Sequence, residues 1–388
     1  MIERVIYQEV VSALKHYPIL AITGPRQSGK TTMLRSMFSD YRYVNLENPD
    51  MREYATTDPK AFLDEYDRYV IFDEVQRVPS LFSYLQAIVD DRLELGLYIL
   101  SGSQNFHLME QITQTLAGRV ALFRLFPFDL TEMKVADWLS DDLGQVMVKG
   151  FYPAIFERSV GQDSYYANYV DTYVRRDVSQ LANVHDDRLF RVFLKVCATR
   201  AGQLLNLTDL SKDVGVSHST IKNWISILET SYVIHLLLPY YSNFGKRVIK
   251  SPKLYFWDTG LLCHLLNIRR GKLSPKHPLW GHLFENMVVG EIIKQNYHLG
   301  QQRDYYFWRD SHGHEVDLLY ADGPSLHIYE VKSSTTLTSK LAEPLQYFEG
   351  ISGDAVSTKT LIYGGDRNQS RSQFKAVAWS KVGQQSND

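Results

Sequence analysis

The segment that most restricts this chain is Gly24-Pro25-Arg26-Gln27-Ser28-Gly29-Lys30-Thr31. It has the form G-x-x-x-x-G-K-[ST], directly after an apolar strand-like run (Ile19–Thr23) and directly before a helical stretch (Thr32 to Phe38). That strand–loop–helix context is what the motif requires to act as a phosphate cradle. The two glycines allow backbone angles that aim successive N–H groups at an anion, and the following helix adds a favourable field. The expectation is that Gly24, Pro25, Arg26, Gln27, Ser28, Gly29, Lys30, Thr31 and Thr32 bind ATP. Lys30 would reach the β- and γ-phosphates, and the Thr31 hydroxyl would go to Mg²⁺.

The first third of the chain supports such a loop. Ile19–Thr23, Tyr43–Leu46, Tyr69–Phe72, Leu97–Leu100 and Val120–Phe123 read as buried strands separated by helix-sized segments. Continuous apolar runs in that arrangement predict a parallel sheet covered on both faces. Two carboxylates, Asp73 and Glu74, emerge at the C-terminal end of one run, where open α/β sheets bind ligands. Asp73 is expected to hold Mg²⁺ through water, and Glu74 to polarise the attacking water. The next strand ends in Leu100-Ser101-Gly102-Ser103-Gln104, and either Ser101 or Ser103 is placed to orient water or sense the γ-phosphate. Arg119, just before the last run, is a candidate for stabilising transition-state charge in its own or a neighbouring subunit.

Composition limits the alternatives. With 42 Lys plus Arg against 44 Asp plus Glu, the formal net charge is −2, which excludes a globally basic nucleic-acid coat but not a local basic patch. Cys197 and Cys263 are far apart and form no CxxC, so a disulfide scaffold or zinc site is not expected and a reduced, cytoplasmic setting fits. Met1-Ile2-Glu3-Arg4-Val5 does not read as a signal peptide. The greasiest run, Ser231 to Tyr241, falls well short of the ~18 residues a membrane span needs, so no membrane partner is expected.

The phosphate loop, the Asp-Glu strand end, Leu116-Ala117-Gly118-Arg119, Phe126-Pro127-Phe128 with Glu132, and Tyr169–Asp177 together resemble an AAA+ ATPase core. In particular they resemble the prokaryotic AAA-type (AAA+/STAND-like) ATPases that carry a companion C-terminal domain. The resemblance spans nearly the whole chain. It implies a 5-1-4-3-2 sheet, with lid helices and a winged helix after the core.

Residues 206–238 carry a helix-turn-helix pattern. Leu207 to Val214 reads as a first helix and Gly215 as the turn. Ser217 to Thr220 then cap a second helix, Ile221 to Glu229. Leu210, Val214, Ile221, Ile225 and Leu228 fall on helical spacing and make a small core. If the unit binds DNA, His218, Ser219, Lys222 and Asn223 are the exposed set that would read it, with Lys246, Arg247, Lys250 and Lys253 as a basic wing. The alternative is a module packed as a structural or regulatory lid.

Near the end, Glu315-Val316-Asp317 and Glu330-Val331-Lys332 lie on two strand-like runs (Glu315–Tyr320 and Leu326–Val331). Alternate strand residues share a face, so Glu330 and Lys332 project together, and Asp317 can meet them. With Glu285 from a preceding helix, Asp317 and Glu330 form a candidate divalent-metal site, with Glu330 and Lys332 as candidate catalytic groups for phosphodiester hydrolysis. Lys332 would orient or deprotonate water. The D/E-x-K triplet alone carries no weight, since Asp58-Pro59-Lys60 and Glu132-Met133-Lys134 match it too. The arrangement of helix Glu, then Asp, then Glu-x-Lys resembles the PD-(D/E)xK nuclease superfamily, departing from it in having Val316 where a proline is usual. Tyr255–Leu261 and Tyr305–Arg309 are aromatic-rich and read as strand and interface packing.

The resulting expectation is an α/β chain with four parts: a P-loop AAA+ parallel-sheet core (1–130), a helical lid (131–200), a winged helix-turn-helix (201–255) and a C-terminal α/β restriction-endonuclease-like domain (256–388). Its expected cofactors are ATP and Mg²⁺. DNA, a second copy of the chain or another protein stand as candidate partners. The expected function is Mg²⁺-dependent ATP hydrolysis coupled to the C-terminal modules and directed at DNA. The alternative is a nucleotide-dependent switch acting through protein contacts with a non-catalytic nuclease-like domain.

Overall fold

The computed structural model describes residues 2–103, 112, 114–178, 187–241 and 249–383, with the backbone alone for 175–178. The chain divides into two compact units. One comprises 1–128 with the short pieces 230–232 and 297–301, and the other holds most of the remainder from Asp129 onward.

In the first unit, β1 (Ile19–Thr23), β2 (Arg42–Asn45), β3 (Val70–Asp73), β4 (Tyr98–Ser101) and β5 (Val120–Arg124) form a parallel sheet. Among the described residues its order is β2-β3-β4-β1-β5, the 5-1-4-3-2 order implied by the resemblance. Successive residues face opposite sides, and both sides are apolar. Ile19, Ala21, Val70 and Phe72 pack on one side with Phe62, Leu85 and Val89 from the helices Pro59–Glu65 and Leu81–Arg92. Leu20, Ile22 and Ile71 pack on the other with Val10 of α1 (Tyr7–Ala13) and Met33 and Leu34 of α2 (Lys30–Met37). This two-sided burial is why the strands read as unbroken apolar runs. Tyr69, expected in β3, instead turns into it with a left-handed φ of 53°.

In the second unit, short helices (Leu130–Val135, Leu143–Lys149, Pro153–Glu157, Gln162–Tyr169) precede a π-helical run (Val170–Val178) and a longer helix (Asp187–Thr199). Asp129 and Glu132 form a reciprocal capping box on the first of these, so the Glu132-Met133-Lys134 triplet is a helix start. The helix-turn-helix follows, with helices Leu207–Val214 and His218–Thr230. Asn206 caps the first, and Gly215 ends it in a left-handed conformation (φ 80°). Ser217 accepts from Thr220 N at 3.1 Å, so the second helix begins earlier than expected. Leu210, Val214, Ile221, Ile225 and Leu228 are all buried.

Short strand β6 (Gln203–Leu204) and the antiparallel pair β7 (Ile234–Pro239) and β8 (Lys253–Phe256) flank these helices. The C-terminal part runs helix (Trp280–His298), β9 (Tyr305–Arg309), β10 (Glu315–Asp322), β11 (Ser325–Lys332), helix (Glu343–Ser352), β12 (Val356–Tyr363), β13 (Gln369–Arg371) and β14 (Phe374–Ala378). β9, β10 and β11 are antiparallel neighbours, and β11 and β12 are parallel across the intervening helix. The two parts are not separate sheets. β7 pairs parallel with β9, giving one nine-stranded sheet among the described residues, β13-β14-β12-β11-β10-β9-β7-β8-β6. Cys197 and Cys263 are buried and unbridged. Among the described residues, no helix is long and apolar enough to cross a membrane.

Candidate functional site

The loop after β1 has the geometry of an anion cradle. Gly24 adopts φ 144°, and a Cβ there would lie 2.1 Å from the Leu125 carbonyl oxygen, so only glycine fits. Gly29 (φ 96°) and Gln27 (φ 62°) are also left-handed, so the loop curls into the N-terminus of α2. Pro25 and Ser28 are buried, Arg26 is half-buried, and Gln27 and Thr32 are exposed. Arg4 braces the loop by donating to the Ser28 carbonyl at 2.9 Å and the Phe126 carbonyl at 2.7 Å. The Ser28 hydroxyl is buried and, among the described residues, has no hydrogen-bond partner. Lys30 is buried and donates to the carbonyls of Gly24 (2.9 Å) and Pro25 (2.8 Å). Burial lowers its pKa to about 8, against the opposing pull of Glu74 and Asp73.

The acidic strand end meets this loop. Thr31 Oγ1 donates to Asp73 Oδ2 at 2.8 Å, and Tyr43 donates to the same oxygen at 2.6 Å. Ser101 donates to Asp73 Oδ1, while Ser103 donates to Glu74 Oε2 at 3.2 Å. The two serines thus serve different carboxylates. Gln76 also donates to Glu74, at 2.6 Å. Glu74 takes a left-handed φ of 56°, which turns its carboxylate out of the strand line. Tyr43 and Gln76 escaped the sequence reading. In the 5-1-4-3-2 order β2 borders β3, which would have pointed to Tyr43. The hydroxyl of Thr31 and the carboxylate of Asp73 are the groups that would hold Mg²⁺, which would supply charge neutralisation to a bound phosphate chain.

Arg119 lies elsewhere. Its carbonyl accepts from Ile19 N, at the start of β1, so it stands about 15 Å of strand away from the loop. Its guanidinium forks onto Asp90, with one bond of 2.8 Å. A role in its own subunit is therefore ruled out by the direction of β1.

In the second unit, Glu285, Asp317, Glu330 and Lys332 lie in one charged cluster, and Glu315 joins them. Lys332 pairs with Glu330 and lies 3.8 Å from Asp317, whose Oδ2 accepts from Val331 N at 2.8 Å. Oxygens of Glu285, Glu315 and Asp317 lie within 4.8 Å of one another. Lys253 reverses an expectation. It is 3% exposed rather than on a basic wing, and its ammonium enters this carboxylate group. Lys246 and Arg247 lie outside the described residues, and Lys250 is exposed. Burial pushes Glu330 well above the usual carboxylate range, helped by the charge of Asp317. Burial alone would lower the pKa of Lys332, but Asp317 and Glu330 raise it, so the lysine is held charged and is unsuited to deprotonate water. A buried ammonium among the oxygens is a poor fit to a divalent-metal cradle.

His218, Ser219, Lys222 and Asn223 are exposed on the second helix of the helix-turn-helix.

Residues 16–134 match the AAA domain family. Residues 140–272 and 280–382 match two domains of unknown function, DUF8612 and DUF4143. The uncharacterized proteins Rv2008c of Mycobacterium tuberculosis and Mb2031c of Mycobacterium bovis are each 30% identical over 329 residues, covering 84% of this chain and 72% of theirs. Among solved structures, the Walker-type ATPase PABY2304 of Pyrococcus abyssi is 12% identical (TM-score 0.45, covering 67% of this chain and 94% of that one). The RuvB Holliday junction branch migration motor of Thermotoga maritima is 16% identical (TM-score 0.30, covering 59% and 88%). The chain belongs to the family of the mycobacterial Rv2008c and Mb2031c proteins, and its residues 16–134 are an AAA-type P-loop ATPase domain.

Proposed function

We propose that the chain binds Mg-ATP in the loop 24–32 and hydrolyses it, passing nucleotide state to a winged helix that engages DNA. The observation that carries the first part is the pair of separately braced carboxylates: Asp73 with Thr31, Tyr43 and Ser101, and Glu74 with Ser103 and Gln76. Asp73 and Thr31 would hold Mg²⁺, which supplies charge neutralisation at the phosphates. Glu74 orients and polarises the attacking water, and its bracing fixes the carboxylate before substrate arrives. Lys30 leaves the loop carbonyls for the β- and γ-phosphates, and the loop N–H groups take the remaining oxygens. Arg119, on the far end of the sheet, can serve only a neighbouring copy, after releasing Asp90.

The winged-helix reading rests on helix, short strand, two helices and a β-pair in that order, with a polar exposed face on the second of the two helices. The restriction-endonuclease-like reading of 256–388 rests on the order helix, three antiparallel strands, helix, parallel strand. A second reading, in which that domain does not cut and signalling passes through protein contacts, is favoured by the Lys253 ammonium among the carboxylates. The test is ATP turnover with and without duplex DNA. Turnover that DNA stimulates supports the leading reading, turnover indifferent to DNA supports the second, and no turnover with Mg²⁺ removes both.

A further inference from the structure

The charged cluster of the C-terminal sheet contains more cations than the nuclease resemblance accounts for. Lys253 Nζ lies 3.0 Å from Glu285 Oε1 and 3.9 Å from Asp317 Oδ1, and it also pairs with Glu315 Oε1. These are the same three residues whose oxygens converge within 4.8 Å. The ammonium therefore stands at the point to which they converge.

The surrounding contacts occupy most of the oxygens of Glu285 and Glu315 and one of Asp317, while Glu330 Oε2 is buried with no hydrogen-bond partner among the described residues. Tyr255 shares a strand face with Lys253 and donates to Glu285 Oε1 at 2.7 Å. Arg309 pairs with Glu315 Oε2 at 2.7 Å. Asp317 Oδ2 is taken by Val331 N, with Lys332 at 3.8 Å. Lys253, Lys332 and Arg309 together offset three of the four carboxylates Glu285, Glu315, Asp317 and Glu330. Magnesium demands near-ideal oxygen geometry and gives up water reluctantly, whereas a tethered ammonium is always at hand and needs only loose, longer contacts.

We propose that the Lys253 ammonium is the resident cation of this cluster, tying β8 of the helix-turn-helix module to β10 and the Trp280–His298 helix, and excluding a divalent ion. The domain then keeps a nuclease-like carboxylate arrangement as an internal clamp. This deepens the second reading above, and its failure would leave the ATP site untouched, because the two are probed by different residues.

The test is Mn²⁺ binding to the full chain without nucleotide, read by electron paramagnetic resonance, with Asp73→Asn included to subtract metal at the phosphate loop. The wild-type chain should bind no Mn²⁺ that depends on Asp317. Lys253→Met should gain one Mn²⁺ per chain and lose it again when Asp317→Asn is added. A wild-type chain holding one Mn²⁺ that Asp317→Asn abolishes would overturn the proposal, as would a folded Lys253→Met that gains none. The wild-type comparison decides the matter even if Lys253→Met does not fold.

Discussion

Thr31 and Asp73, which lie on different elements 42 positions apart, are joined by a 2.8 Å hydrogen bond from hydroxyl to carboxylate. This contact locks the start of α2 to the end of β3 before any nucleotide is present. Tyr43 reaches the same carboxylate oxygen from the neighbouring strand. Tyr43→Phe removes a hydrogen bond to a charged acceptor, worth about 1.5–3 kcal/mol. The Mg²⁺ concentration for half-maximal ATP turnover should rise roughly tenfold or more. Metal-free nucleotide binding, measured by fluorescence of a nucleotide analogue, should be unchanged.

Lys30 gives the site a pH signature. Burial lowers its pKa to about 8 in the nucleotide-free chain, and phosphate needs the charged form. ATP affinity should therefore hold below pH 8 and fall above it, approaching tenfold per pH unit. Calorimetry in buffers of differing ionisation enthalpy should show proton uptake on binding above pH 8. An affinity flat from pH 7 to 9.5 would show that Lys30 does not supply the charge.

Lys222 is the one lysine in the exposed set on the second helix of the helix-turn-helix. If that face contacts phosphates, Lys222→Ala should weaken duplex binding without altering sequence preference. The slope of log affinity against log salt should shrink by about 0.9, the signature of one lost phosphate contact. Electrophoretic or anisotropy titrations at several salt concentrations read both quantities.

Asp258 is buried and accepts from Tyr166 OH (2.7 Å), Phe151 N (2.8 Å) and Leu261 N (2.8 Å). Asp258→Ala strands three donors and removes a helix cap, for a predicted loss of about 3–5 kcal/mol. Asp258→Asn keeps one acceptor oxygen and should lose less. Urea unfolding followed by circular dichroism ranks the variants, and equal losses would contradict this role.

The ATPase third of the chain was legible because its chemistry is local in sequence. Gly24 through Thr31 is contiguous, and Asp73-Glu74 follows its own strand directly. The C-terminal cluster was half legible. Glu330 and Lys332 share a strand face by simple alternation, and Asp317 and Glu285 could be matched to a pattern. Lys253 could not be read correctly from sequence. It closes a basic run, which suggests a solvated wing, and its burial depends on β8 and β9 both flanking β7 in one sheet. No spacing rule forecasts that junction. Arg119 shows the converse: it directly precedes a strand parallel to β1, so its place at the edge of the sheet away from the loop follows from chain direction alone.

In the proposed mechanism Lys30 binds the nucleotide and Glu74 activates the attacking water. This division is tested most directly by measuring Mg-ATP affinity and turnover side by side in Lys30→Ala and Glu74→Gln. Lys30→Ala should lose most of its affinity, and Glu74→Gln should bind Mg-ATP as the wild type does while turnover falls by about 10²–10⁴-fold. Wild-type affinity in Lys30→Ala would remove Lys30 from phosphate binding, and wild-type turnover in Glu74→Gln would remove Glu74 from water activation.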